Sequence, residues 1–134
     1  MQAKENFQLS SYNFQLIKVA IADDHAMVAV GIERIINGSG IAVVIGKAFS
    51  IAGCLSLLSK TQADILLLDV SLPDGNGIDL CRKVKVLYPE LKIIMITSHT
   101  ELPILKRALD EGASGLILKN ANAEVIIEGL QSVA

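Results

Sequence analysis

The stretch "ILLLDVSLPDGNG", Ile65 to Gly77, changes character in its middle. Four apolar residues run straight into a carboxylate, Asp69, and then into a segment rich in turn-formers. An apolar run of this length, bounded by turn residues, suits a strand buried on both faces. Such a strand has no reason of packing to end in a charge. Asp69 is therefore a helix cap, a metal ligand or a nucleophile, and the rest of the chain decides among them.

Four similar blocks accompany it: "IKVAIA" (17–22), "IAVVIGKA" (41–48), "LKIIMIT" (91–97) and "SGLILK" (114–119), while the central one extends back to "ADILLLD" (63–69). They are rich in Val and Ile, and most are apolar on both alternations, which predicts a parallel sheet covered on both sides. The segments between them carry helical spacing. Ala123, Ile126, Ile127 and Leu130 form one face of 122–133, Leu80, Val84 and Leu87 one face of 77–88, and Leu105, Ala108 and Leu109 one face of 101–111. Ser50 can cap the helix that follows it. The alternation predicts an α/β layered domain with right-handed crossovers.

Composition agrees with one domain. The chain has 134 residues, of which 51% are hydrophobic and 19% charged, too apolar for disorder and ample for a core. No apolar run is long enough to span a bilayer. The start, "MQAKENFQLSSYNFQL", lacks the basic and apolar regions of a signal peptide, so the expected location is the cytoplasm. A net charge of −2 gives no basic footprint for nucleic acid. Cys54 and Cys81 are far apart with no CxxC partner, and read as buried apolar side chains rather than zinc ligands or a disulfide. Residues 1–16 stand apart as an N-terminal extension. They hold Phe7, Tyr12 and Phe14, three of the five aromatics, and "FQL" twice; the expectation is a floppy tail, the sharper reading a segment that docks on the domain or on a neighbouring chain.

In an open parallel sheet, chemistry collects beyond the carboxyl ends of the strands. There the blocks end in Asp23-Asp24, Asp69, Thr97-Ser98 and Lys119. Carboxylates gathered in one place repel, so they take up protons or a cation. An all-oxygen set suits Mg²⁺, which binds through one or two protein carboxylates and keeps several waters. A carboxylate beside such a cation can act as a nucleophile toward phosphorus, and Lys119 and the Thr97 hydroxyl are groups that stabilise a transferring phosphoryl. Taken singly, each has a plainer reading: Asp24 or Asp74 as a helix cap, Lys119 as a solvated charge, Thr97 as a β-branched strand residue. All of them at strand ends, in this order, are hard to obtain by chance.

The set "VAIADDH", "ILLLDVSLPDGNG", "IIMITSH" and "GASGLILKN" resembles the receiver domain of two-component response regulators, over nearly the whole chain from Ile17. The "DDH" and the non-proline after Lys119 are similar to the NarL/LuxR-type subgroup. The resemblance implies a (βα)5 flavodoxin-like three-layer fold over 17–134, with a five-stranded parallel sheet in the order 2-1-3-4-5. It implies Asp69 as phosphoacceptor, Asp24 as the direct Mg²⁺ ligand with Asp23 acting largely through water, and the backbone carbonyl of Ser71 as a further ligand. It implies Thr97 and Lys119 as phosphoryl-binding residues. It also implies that Pro73, Gly75 and Gly77 shape the turn, the glycines by adopting backbone angles that other residues resist.

Two departures stand out. Leu116 occupies the switch position where receivers usually carry an aromatic, and it offers Thr97 less area and no hydroxyl for the usual Thr–aromatic coupling. Asn120 replaces the proline that many receivers place after the lysine, so a trans bond is expected. His99, two residues after Thr97, is a candidate modulator of dephosphorylation or an exposed loop histidine. His25 reads as a helix-start residue rather than a ligand, since Mg²⁺ prefers oxygen.

The function implied is a phosphorylation-controlled switch rather than an enzyme acting on outside substrates. A sensor histidine kinase or phosphotransfer protein would phosphorylate Asp69. The face supplied by "TELPILKRALDEGASGLILKNANAEVIIEGL" (100–130) would then shift to bind a partner or a second copy of the chain. A haloacid-dehalogenase-type hydrolase needs an aspartate where Ser71 stands. A flavodoxin-like nucleotide binder needs a phosphate loop where "ADDHAM" places two negative charges. A stand-alone or degenerate receiver acting as a protein-interaction module remains the alternative, kept open by Leu116. The chain stops at Ala134 without a basic helix, so it is expected to be a piece of a longer transcriptional regulator, with any DNA contact made by an output domain elsewhere.

Overall fold

The apolar blocks fold as strands and the periodic segments as helices. The computed structural model describes residues 15–98 and 101–134. The main sheet contains β1 (Ile17–Ala22), β2 (Ala42–Ala48), β3 (Ile65–Asp69), β4 (Lys92–Thr97) and β5 (Gly115–Leu118). Between and after them come α1 (Ala26–Asn37), α2 (Ile51–Lys60), α3 (Gly77–Leu87), α4 (Leu102–Asp110) and α5 (Ala123–Val133). The strands are parallel and lie in the order β2-β1-β3-β4-β5, as the resemblance implies. A two-rung antiparallel hairpin, Ser71–Leu72 with Gly75–Asn76, follows β3 and leads into α3.

Strand alternation divides the core into two layers. Ala20, Ala22, Leu66, Leu68, Ile93 and Met95 pack with Cys54 and Leu58 of α2, with Ile78, Leu80, Cys81 and Val84 of α3, and with Ala108 of α4. Val19, Ile21, Ile65, Leu67, Ile94, Ile96 and Ile117 pack on the other side with Ala29, Ile32 and Ile36 of α1 and Ile126 and Leu130 of α5. Every residue of β3 is buried, whereas the outer strands β2 and β5 are largely half-buried, so the both-faces-covered pattern is complete only at the centre. Both cysteines are free and buried, and burial pushes each thiol up to about 11, in keeping with a packing role.

Helix starts show where local signals suffice. Ser50 Oγ accepts the Gly53 amide at 2.9 Å, the expected cap of α2. Asn76 caps α3 and Asn122 caps α5 in the same way. Asp74 also caps, but across space: its carboxylate accepts the amides of Ile51 and Ala52 at 2.7 and 3.1 Å, at the head of α2 rather than of the helix after it.

Two expected core positions, Leu87 and Leu109, are 54% and 50% exposed. Each lies in the last turn of its helix, where burial depends on what stands beyond the helix end, and periodicity does not encode that. Ala123, in the first turn of α5, is exposed for the same reason. No peptide bond among the described residues is cis, which agrees with the expectation for Asn120. Phe7, Tyr12, Phe14 and His99 lie outside the described residues. Among the described residues no helix is long and apolar enough to cross a membrane.

Candidate functional site

Parallel register assembles the site. Ala22 pairs with Leu68, Asp69 with Ile96, and Thr97 with Leu118. The residue that follows Ala22 is thus brought beside Asp69, Thr97 stands one step past Asp69's partner, and Lys119 comes one step past Thr97's. The Lys119 amide donates to the Thr97 carbonyl at 2.9 Å, which ties the two ends together. Four side chains from four strands, separated by up to 96 positions in sequence, reach one layer at the carboxyl edge of the sheet.

Within that layer Asp23, Asp69 and Thr97 are buried. Lys119 Nζ donates to Asp69 Oδ2 at 2.8 Å and stands 3.5 Å from Asp23 Oδ1. Asp69 Oδ1 accepts the Ser71 amide at 3.0 Å, so both oxygens of the central carboxylate are engaged. Ser71 was expected to contribute its carbonyl; what the structure adds is its amide, which orients Asp69. Burial raises the Asp69 carboxyl above the ordinary carboxylate value and the Asp23 charge adds to this, while the hydrogen bonds from Lys119 and Ser71 pull it back in part.

Gly77 makes this arrangement possible. A Cβ there would lie 1.9 Å from the Asp69 carbonyl oxygen, an overlap no side chain could tolerate. The Gly77 amide donates to the Val70 carbonyl at 2.7 Å. Glycine is thus required for space rather than for an unusual backbone angle, a correction to the expectation from the turn motif; Gly75, at φ +157°, is the position where the angle itself matters.

The acids fit a hard cation. Three carboxylates face one ammonium, which leaves negative charge in excess. Asp23 Oδ2 is buried and has no hydrogen-bond partner among the described residues, although such groups are nearly always satisfied. Asp24 is more open, its side chain 34% exposed, and it reaches the same cluster. One residue in the cluster was not expected there. His25 begins α1, as read, yet its Nδ1 lies 3.2 Å from both Asp23 Oδ1 and Asp24 Oδ1, 3.9 Å from Asp69 Oδ2 and 2.9 Å from Lys119 Nζ. Adjacency to the acid pair was the one sequence signal that could have found it.

Leu116 lies on β5 opposite Met95, two residues before Thr97's partner Leu118. It is half-buried and packs against the core layer beneath α2, α3 and α4, as does Ile104 of α4. It therefore shares a sheet face with the Thr97 side chain, although it lacks the area and the hydroxyl of an aromatic residue.

A family profile described as response regulator receiver domain matches residues 19–131, and the chain belongs to that family. Its relatives are regulators of the NarL/LuxR type. One is DevR/DosR, a DNA-binding transcriptional activator of Mycobacterium tuberculosis, 32% identical over 118 residues that cover 88% of this chain and 54% of the relative. The chain spans about half the length of the curated relatives it matches. Among solved structures, the signal receiver domain of NarL from Mycobacterium tuberculosis superposes with a TM-score of 0.83 at 28% identity, covering 88% of this chain and 95% of that one. The isolated receiver domain of RcsB from Salmonella enterica serovar Typhimurium, solved with the phosphomimetic BeF3⁻, gives 0.81 at 30% identity, with 87% of each chain covered.

Proposed function

We propose that this domain receives a phosphoryl group on Asp69 from a phosphohistidine of a sensor kinase or phosphotransfer protein. The observation that carries this reading is the buried Asp69 carboxylate, hydrogen-bonded by Lys119 and flanked by Asp23 and Asp24 at the carboxyl edge of the central strand. An Asp69 oxygen attacks phosphorus and forms the O–P bond. The P–N bond breaks, and the donor imidazole leaves with the electron pair. Lys119 accompanies the charge on the transferred oxygens, and the Thr97 hydroxyl binds one of them. Asp23, Asp24, Asp69 and the Ser71 carbonyl would hold Mg²⁺, which when bound neutralises the charge that gathers as the phosphoryl enters.

The new charge biases the loop after β4, and through the shared face of Thr97 and Leu116 it biases α4, β5 and α5. That surface then engages a partner or a second copy of the chain. In a longer protein it would govern a DNA-binding output domain, in line with the description of DevR/DosR as a DNA-binding transcriptional activator. His99 is retained as a candidate modulator of phosphoryl loss.

Intact-mass spectrometry after incubation with a small acyl-phosphate donor and Mg²⁺ tests the proposal. One added phosphoryl group is expected, absent in Asp69→Asn and on chelation. No adduct from any donor, the cognate kinase included, would replace this reading with that of a receiver acting only through protein contacts.

A further inference from the structure

His25 is the N-cap residue of α1, but its side chain does no capping. Its backbone amide donates to Asp23 Oδ1 at 2.8 Å, which folds residues 23–25 tightly and returns the imidazole over the acids it follows. The side chain makes no cap hydrogen bond to α1 and is 61% exposed, so neither capping nor packing accounts for its position. Instead Nδ1 faces two carboxylate oxygens at 3.2 Å and the Lys119 ammonium at 2.9 Å. A single ring nitrogen cannot donate to the acids and accept from the lysine at once. The contacts set Nδ1 alongside the carboxylate oxygens, as one more donor atom that could share a cation with them. Asp23, Asp24, His25 and Asp69 each offer one donor atom, and all four atoms lie within 4.8 Å of one another. Asp23 reaches the cluster through Oδ1, and its buried Oδ2 has no hydrogen-bond partner among the described residues, an independent sign of unmet charge at this place.

We propose that the His25 imidazole is a further donor to this cation site, so that the domain takes a borderline divalent cation of the Co²⁺ or Zn²⁺ class in preference to Mg²⁺ when both are present. The inference rests on the reading of the acids as a cation site and deepens it. The physical ground is donor softness. Oxygen donors alone favour Mg²⁺, which gives up its water reluctantly, whereas an imidazole nitrogen adds affinity for later first-row ions and almost none for Mg²⁺. A single nitrogen beside three carboxylates therefore changes which ion is held without closing the site to the harder one.

The test is calorimetric titration of wild type and His25→Ala with Co²⁺ and, separately, with Mg²⁺. Removing the imidazole should weaken Co²⁺ binding about tenfold or more, while Mg²⁺ affinity stays within about twofold. Proton NMR of the Co²⁺-bound wild type should show a paramagnetically shifted, solvent-exchangeable ring N–H that the variant lacks. Equal Co²⁺ affinity in both proteins, with Mg²⁺ still bound, overturns the role of His25 alone. Parallel loss of both ions in the variant overturns it as well, because the imidazole would then be positioning the acids. If wild type binds neither ion, the cation-site reading falls with it.

Discussion

Asp64 and Asp69 bracket the same strand, and they behave in opposite ways. Asp64, just before β3, is exposed, and its carboxylate accepts the Lys18 amide at 2.8 Å while its own amide donates to the Lys18 carbonyl. It laces β3 to β1, and what remains of its carboxylate is open to solvent. Asp69, at the other end, is buried beside a second buried acid, one of whose oxygens has no partner among the described residues. The residue type is the same, but one carboxylate is spent on the backbone and the other is held in excess charge. A parallel sheet makes its two edges chemically unequal, and the carboxyl edge is where unspent polar groups converge.

The contrast can be broken most severely at Gly77. Gly77→Ala should cost ~3 kcal/mol, the upper end for overpacking, because the obstruction is backbone that cannot turn aside. Chemical denaturation measures this, and a drop in the rate of Asp69 phosphorylation should accompany it. The next effect comes from the cation. Mg²⁺ at a hundredfold excess over its dissociation constant should stabilise the wild type by about 2.7 kcal/mol. Asp23→Asn should shrink that gain and, in chelator, should melt above the wild type, because relieving the charge beside Asp69 removes a cost the folded state bears. A lower melting temperature for the chelated variant would show that the acids do not repel as described.

At the opposite edge, Asp64→Ala should cost about 0.5–1.5 kcal/mol for the lost hydrogen bond and leave phosphorylation unchanged. Loss of activity there would erase the distinction between the edges. Asp74 gives the smallest effect and a sign in pH. The amides of Ile51 and Ala52 hold its carboxyl below the ordinary 3.8. Its contribution is therefore whole at neutral pH and is lost as acid takes the pH below 3.8 and through the lowered value. Melting temperature followed across that range should fall more steeply for wild type than for Asp74→Asn.

The architecture was legible because β3 and its neighbours repeat one local signal, an apolar block of strand length, and because burial on both faces leaves no polar alternation to confuse it. Asp69, Thr97 and Lys119 were legible because each terminates such a block. Leu87 and Leu109 were misplaced because helical spacing reports which side of a helix is apolar, not whether anything covers its last turn. Ser71's amide and the requirement for space at Gly77 escaped notice because backbone donors and close approaches leave no trace in residue type.

By itself, then, the sequence determined the alternation of strands and helices, the burial of Cys54 and Cys81, the Ser50 cap and the roster of charged strand ends, all of which follow from short-range periodicity and side-chain chemistry. Tertiary structure alone decided that Asp74 caps a helix 22 to 23 residues before it, and that His25 meets Lys119 across 94 positions. It also decided that Asp23 keeps a buried oxygen without a partner among the described residues. Those are facts about neighbours brought together by sheet register, and register is settled by packing the whole sheet at once.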